Sequence, residues 1–329
     1  MSDLAPTLQA FFTDRLMAQR QASPNTIVGY RDVFRLLLSY TAKQTGIRPC
    51  DLGIADLDAP LIAAFLDHLE RDRGNSVRTR NHRLAAIHSL FAYVALRHPE
   101  HAASVQRVLA IPAKRFERNL VTFLTEDEID ALLSVCDHGR WTGRRDHALL
   151  LLAIQTGLRI SELTGLTCSD ITLGAGAHVH CIGKGRKERR TPLVPTTVDV
   201  LRTWLTERDG DPSAPLFPTT TGTPLSRDAI ERRIALHVSA AAQHCPSLET
   251  KHVTAHTLRH TCAMRLLVSG IDLAVIALWL GHEQVSTTNI YLHADMGQKE
   301  RAIARTRPLT GKPARYQPSD AVMTFLDSL

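Results

Sequence analysis

The sequence predicts a multidomain chain: an all-α N-terminal domain, then a mixed α/β, mainly helical domain with a small antiparallel sheet. Three observations predict it. Residues 1 to about 110 read as helices only, with apolar residues at helical spacing. Residues 111–119 lose that periodicity and hold one proline with Lys114, Arg115, Glu117 and Arg118, the pattern of a basic interdomain linker. Further on, Val179 and Cys181 alternate with polar residues into a Gly183-Lys184-Gly185-Arg186 turn, and Lys187 to Leu193 follow, which reads as a hairpin or small antiparallel sheet. The expected division is 1–110 helical, 111–120 linker, 121–306 mixed domain and 307–329 tail, and 329 residues suffice for two cores.

Taken in order, Leu8 to Met17 shows the first helical spacing, and Ser23-Pro24-Asn25 supplies a cap-and-proline start. The helix that follows is expected over about 25–41, with Ile27, Tyr30, Phe34, Leu37 and Leu38 on one face. A third covers about 59–71. Gly74-Asn75-Ser76 opens a fourth, to about Leu96, with Leu84, Ile87, Leu90 and Phe91 as its apolar stripe. Its other side carries Arg78, Thr79, Arg80, Asn81 and Arg83, and Asn25, Thr26 and Arg31 form a second polar surface. These residue types bridge phosphates or pair with base edges, so both surfaces are candidate DNA contacts, joined by Lys114 and Arg115 of the linker. A solvated polar face is the plainer alternative.

In the second domain Thr125 and Glu128 form a capping box, so a helix starts there. Another runs over about 144–155 until Gly157 stops it, and a short helix carries 161–166. After the hairpin the pattern from Thr196 is helical again, interrupted by Pro212, Pro215 and Pro218. Residues 307–318 hold three prolines and a glycine and read as extended. Ser319-Asp320 then caps a last short helix with Val322, Phe325, Leu326 and Leu329 on one side. A helix that short is not stable alone, so its apolar face must bury on its own domain or on a neighbour.

The composition is that of a globular protein, 44% hydrophobic and 22% charged, which excludes wholesale disorder. The net charge of +6 suits a polyanion partner without requiring one. None of the six cysteines forms a CxxC pair, so buried reduced thiols are expected rather than a zinc knuckle or redox pair. The N-terminus lacks a secretory pattern and no apolar run is long enough to span a bilayer, so a cytoplasmic protein without membrane contact is expected.

Five short stretches carry the chemistry: Thr156 to Leu163 with Arg159, Gly183 to Lys187 with Lys184, His256 to His260 with Arg259, Leu280-Gly281-His282, and Asn289-Ile290-Tyr291. Two arginines, a lysine and imidazoles suit an anionic phosphate whose charge grows in the transition state. Arg159 and Arg259 could clamp one phosphate from two sides, because a guanidinium pairs bidentately and stays charged. Lys184, in a glycine-flanked turn, is the candidate general acid for the leaving oxygen, with an ordinary surface lysine as the plainer reading. His256 shares a helical face with Arg259 and could accept the proton of Tyr291, the candidate nucleophile. His252, His256 and His260 are also spaced by four, as stacked zinc ligands would be. Against this, Thr254 looks like an N-cap, which places His252 before the helix, and no metal or other cofactor is expected.

In their order and spacing these residues resemble the tyrosine recombinases, also called the phage integrase family, over nearly the whole chain. Arg159, Lys184, His256, Arg259, His282 and Tyr291 match the family's catalytic positions. The resemblance implies a SAM-like core-binding N-terminal domain and a tyrosine-recombinase catalytic domain. It gives Glu162 and His260 supporting roles behind the catalytic side chains. It implies cleavage and rejoining of double-stranded DNA at sites with inverted half-sites, through a 3′-phosphotyrosine. It also implies a homotetramer on two DNA sites, a Holliday junction, and a C-terminal segment passed to a neighbour; partner recombinases and accessory proteins stay open. Integration, excision or transposition of a mobile element is the expected role. The alternatives are Xer-type dimer resolution, a type IB topoisomerase and an inactive DNA-binding relative.

Overall fold

The computed structural model describes residues 3–116, 121–183, 187–208, 211–282 and 285–291. Lys184, the linker residues 117–120 and the whole of 292–329, including the expected tail helix, lie outside the described residues. The chain divides into two compact units, Met1–Arg118 and Asn119–Leu329.

The first unit is helical throughout, as the pattern predicts. Helix α1 (Leu4–Ala10) continues as a π-helical stretch (Phe11–Gln19), and α2 (Pro24–Thr45), α3 (Ala59–Arg71), α4 (Val77–Arg97) and α5 (Ala102–Leu109) follow. Ser23, Asp58 and Ser76 cap α2, α3 and α4 by accepting the backbone N–H of Thr26, Leu61 and Thr79. The apolar stripes meet in one core containing Phe11, Phe34, Leu37, Phe65, Leu90 and Phe91. Each such side chain removed from water contributes roughly 1.5–3 kcal/mol. Helix α2 runs past the expected Thr41 to Thr45, and Gly46 at φ +74° then ends it. The apolar stripe fades a turn before the cap, which is why the pattern alone stops early.

In the second unit α6 (Glu126–Ser134), α7 (Trp141–Thr156) and α8 (Ile160–Gly165) precede β1 (Ile171–Thr172), β2 (His178–Ile182) and β3 (Glu188–Pro192). Helices α9 (Pro195–Arg208), α10 (Arg227–Ala242), α11 (Ala255–Val268) and α12 (Leu273–Leu280) follow, then a 3₁₀ segment (Val285–Tyr291). The expected capping box of Thr125 and Glu128 opens α6. The expected hairpin is β2–β3, antiparallel, with Val179 opposite Thr191 and Cys181 opposite Arg189. The structure adds β1, which pairs with β2 through two residues and is too short to show alternation. Among the described residues no helix is long and apolar enough to cross a membrane.

Helix α7 is the centre of this unit, packed by α9 and α11 over a core containing Leu149, Leu152, Leu201, Trp204, Ile234 and Leu258. Gly157 ends α7 at φ +63°, a conformation that side-chain-bearing residues rarely adopt. A Cβ there would lie 2.6 Å from Leu280 Cδ2 and 3.2 Å from the Cys262 side chain, so glycine also lets α7 close on α11 and α12.

One ion cluster is centred on a buried carboxylate of the unit. Asp146 is fully buried and pairs with Arg145 at 2.8 Å, with Arg233, and with His237 Nε2 at 2.9 Å. Burial alone would raise its pKa, but His237, Arg145 and Arg233 outweigh this and hold the carboxyl below its usual range. Arg145 also donates to Pro218 O at 2.8 Å, tying α7 to the loop before α10. Removing the anion would strand its cations, so Asp146→Asn is expected to cost about 3 kcal/mol of folding stability. Chemical denaturation checks this; a midpoint equal to wild type would show that the cluster is not stabilising.

Candidate active site

Three arginines meet where two helices end. Helix α12 closes in a Schellman turn, with His282 N–H donating to Ala277 O and Gly281 N–H to Leu278 O. That geometry leaves the carbonyls of Leu280 and Gly281 available. Arg259, on α11, donates to Leu280 O at 2.7 Å and to Gly157 O, at the end of α7, at 2.5 Å. Arg159, the N-cap of α8, donates to Gly281 O at 2.8 Å. Arg189, on β3, donates to Leu280 O at 2.8 Å. The C-terminal ends of helices carry partial negative charge, so they are natural seats for guanidinium groups.

One carboxylate joins them. Glu162, with its side chain 2% exposed, accepts from Arg159 through Oε1 and from Arg189 through Oε2, both at 2.9 Å. It also accepts the Arg159 backbone N–H, closing the first turn of α8. Three guanidiniums against this one carboxylate leave an excess of positive charge. Burial, followed by Arg159, lowers Arg259 to about 10, so it stays protonated at neutral pH. Such a cluster is suited to hold an anion with two or more oxygens.

Beside it lies the histidine and tyrosine group. Tyr291 is 1% exposed, and its hydroxyl sits 2.9 Å from His260 Nδ1. Burial drives the phenol up to about 12, against the pull of Arg259. His260 is lowered to about 4 by burial, then His256 and Arg259. His282 is lowered to about 4 by burial, then by Arg259, Arg159 and Arg189, and its Nδ1 lies 2.8 Å from Thr288 Oγ1. His256 is lowered in the same direction by burial of its ring, then Arg259 and Arg159. The imidazoles are therefore neutral at physiological pH, and His260 can exchange a proton with the phenol it touches.

The structure thus brings Arg159, Glu162, His256, Arg259, His260, His282 and Tyr291 together, while Lys184 lies outside the described residues. It corrects one contact. His256 was expected to face the tyrosine; its ring instead packs edge-on against His260 at 4.1 Å, and His260, one turn further along α11, meets the hydroxyl. The three-histidine metal alternative fails on geometry, because Thr254 caps α11 and His252 lies before it. Sequence reasoning missed Arg189 altogether. Its only signal was register: it stands opposite Cys181, which β2 buries, and so belongs to the covered face of the hairpin.

In the first unit Asn25, Thr26, Arg31, Arg78 and Arg115 are exposed. Arg31 pairs with Asp32 at 2.9 Å, and Arg78 lies over the Phe116 ring at 5.4 Å. Thr79 and Arg83 are half-buried and line a groove of about 420 Å³ between α2 and α4 with Gly29 and His82. Arg80 does not belong to this face. It is 5% exposed and donates to Pro112 O at 3.1 Å, because its position on α4 points it under the linker. Asn81 exchanges two hydrogen bonds with the backbone of Lys114, whose ammonium sits 2.5 Å from Glu70. These three residues fasten the start of the linker to α3 and α4.

Residues 122–298 match the model of the phage integrase family, and residues 10–98 match the phage integrase N-terminal SAM-like domain. The integrase/recombinase-type protein y4rC of Sinorhizobium fredii is 54% identical over the whole chain and 99% of its own length. Tyrosine recombinase XerC of Pelobacter propionicus is 32% identical over 95% of this chain and 99% of its own. The fold is similar to that of the XerH site-specific recombinase bound to palindromic difH substrate, with a TM-score of 0.70, 24% identity, and coverage of 87% of this chain and 81% of that one. It is also similar to the Tn1549 transposon integrase in complex with a circular-intermediate DNA, with a TM-score of 0.69, 18% identity, and coverage of 91% and 99%. On these matches and on the site they coincide with, the chain belongs to the phage integrase family, the tyrosine recombinases that break and rejoin DNA.

Proposed function

We propose that this protein is a site-specific recombinase that cuts and reseals duplex DNA through a 3′-phosphotyrosine, in the integration, excision or transposition of a mobile element. The observation that carries the reading is the placement of Tyr291 on His260, in one site with the arginine cluster. In this mechanism the Tyr291 oxygen attacks phosphorus and its proton passes to neutral His260. The bond from phosphorus to the 5′ oxygen breaks, and Lys184 gives that oxygen a proton, releasing a 5′-hydroxyl. Arg159 and Arg259 keep unused N–H donors for the non-bridging oxygens, where charge develops. A 5′-hydroxyl from a second duplex reverses the steps. The phosphotyrosine ester conserves the bond, so neither ATP nor a metal enters the balance.

Duplex binding is assigned to Asn25, Thr26, Arg31, Arg78, Thr79, Arg83 and Arg115, with Arg80 removed from the face by its burial. The mobile-element role draws on y4rC and on the transposon integrase. Dimer resolution is the second reading, favoured by the 32% identity to a XerC protein.

The active assembly is proposed to be a tetramer on two sites with inverted half-sites. A groove of about 430 Å³ in the second unit supports this. Phe123, Ile154, Met264, Leu266, Val268 and Trp279 are among the residues lining it. Its apolar lining suits the Val322, Phe325, Leu326 and Leu329 side of residues 319–329, contributed by a neighbouring copy. Deleting 319–329 is then expected to weaken synapsis while single-site binding persists. Native gels and sizing of the protein–DNA complex check this, and full tetramer formation by the truncated protein would rule the docking out.

The primary test is covalent trapping on nicked duplexes from the ends of the element that carries the gene. Wild type is expected to give a denaturation-resistant protein–DNA adduct and Tyr291→Phe none. An adduct from Tyr291→Phe would assign the nucleophile elsewhere. The same assay reads the pKa of the base. His260 is at about 4, and a lowered pKa keeps its neutral form present above that value. The rate of adduct formation should therefore hold from about pH 8 down to about pH 5 and fall only below that, with no break at the ordinary histidine value of about 6.5. A break near that value would show that His260 titrates normally and is not held neutral by the site.

A further inference from the structure

We propose that Arg189 is a positioning residue for the cleavage step, an inference that rests on the recombinase reading above. Its guanidinium bridges three pieces of the site. Nη2 holds Glu162 Oε2, Nη1 holds Leu280 O, and β3 carries the side chain in from the hairpin. Each end of that bridge meets a group that also holds one of the two arginines proposed to clamp the phosphate. Glu162 uses its other oxygen to orient Arg159, and Leu280 O is shared with Arg259. The carbonyl of the next residue, Gly281, holds Arg159, and the residue after it is His282.

Without Arg189, Glu162 Oε2 would keep only the Arg159 backbone N–H as a donor, and the carboxylate could swing further toward the Arg159 guanidinium. That would draw the Arg159 guanidinium toward protein and away from an incoming phosphate. The Leu280 carbonyl would lose one of two donors, loosening the turn that sets His282. Arg189 itself has its side chain 10% exposed, and its Nε is buried with no hydrogen-bond partner among the described residues. A lone surface arginine would not be held this way. The side chain is built into the floor of the site, and it acts on Arg159 and His282 through their neighbours. Lysine could not replace it, because one ammonium lacks the planar fork that spans a carboxylate and a carbonyl at once.

The experiment uses full-length protein and the nicked duplex, comparing wild type with Arg189→Gln, Arg189→Lys, Glu162→Gln and the Arg189→Gln/Glu162→Gln double variant. Adduct formation by wild type establishes the recombinase reading first, so its failure is separate from the failure of this inference. Arg189→Gln is expected to slow single-turnover adduct formation at saturating protein by about 100-fold, the scale of a displaced catalytic group. The duplex Kd should change by less than about threefold, since the loss is in the reacting state. The double variant should be no slower than the slower single variant, because the two residues act as one unit. Arg189→Lys should stay slow despite its charge. If Arg189→Gln does not fold, Arg189→Lys and its double with Glu162→Gln carry the same comparison. A wild-type rate in a folded Arg189 variant would overturn the proposal. So would losses that multiply in the double variant, or a rate restored by lysine.

Discussion

The site depends on one electrostatic constraint: three guanidinium groups must sit side by side, largely out of water. Left to themselves they would repel and favour the solvated, unfolded chain. Two helix ends and a single carboxylate hold them. Gly157 O at the end of α7 and Leu280 O and Gly281 O at the end of α12 supply partial negative charge, and Glu162 supplies a full one. Because Glu162 cannot balance all three, the cluster keeps an excess of positive charge. A site fully neutralised by its own side chains would have nothing left for a phosphate.

The same excess governs the groups around it. The histidines lie within reach of these arginines and are partly shielded from water. Both effects disfavour an imidazolium, so His256, His260 and His282 are all lowered. Tyr291 feels opposite pulls, with burial raising it and Arg259 lowering it, and burial wins. Tyr291 is thus a neutral phenol resting on a neutral imidazole. A phosphate entering the arginine cluster would change that balance most directly at the groups nearest to Arg259.

Backbone chemistry makes the convergence possible. A side chain at Gly157 would strike Leu280 and Cys262, holding α7 away from α11 and α12 and with it the Gly157 carbonyl from Arg259. The Schellman turn at Gly281 places Leu280 O and Gly281 O so that arginines from α8, α11 and β3 reach them. Glycine at these two helix ends is therefore as much part of the site as the charged side chains. Neither appears in a list of candidate catalytic residues, because what each contributes is a carbonyl and an angle.

Much was legible from the sequence alone. Helical spacing and caps at Ser23, Ser76 and Thr125 located α2, α4 and α6, since those signals act within a few residues. The ordered set of Arg159, His256, Arg259, His282 and Tyr291 suggested one site, and the structure gathers these side chains together. Tertiary structure decided what depends on distance between remote segments. It buried Arg80 under the linker although it shares a helix with exposed Arg78, as a turn of 100° per residue separates them. It chose His260 rather than His256 as the neighbour of Tyr291, and it brought Arg189 from β3 to Glu162 on α8 and Leu280 on α12. Local sequence fixes which residues are offered to a helix face or a strand. Which of them meet is set by how α7, α8, α11, α12 and the hairpin pack, and that is a property of the whole unit.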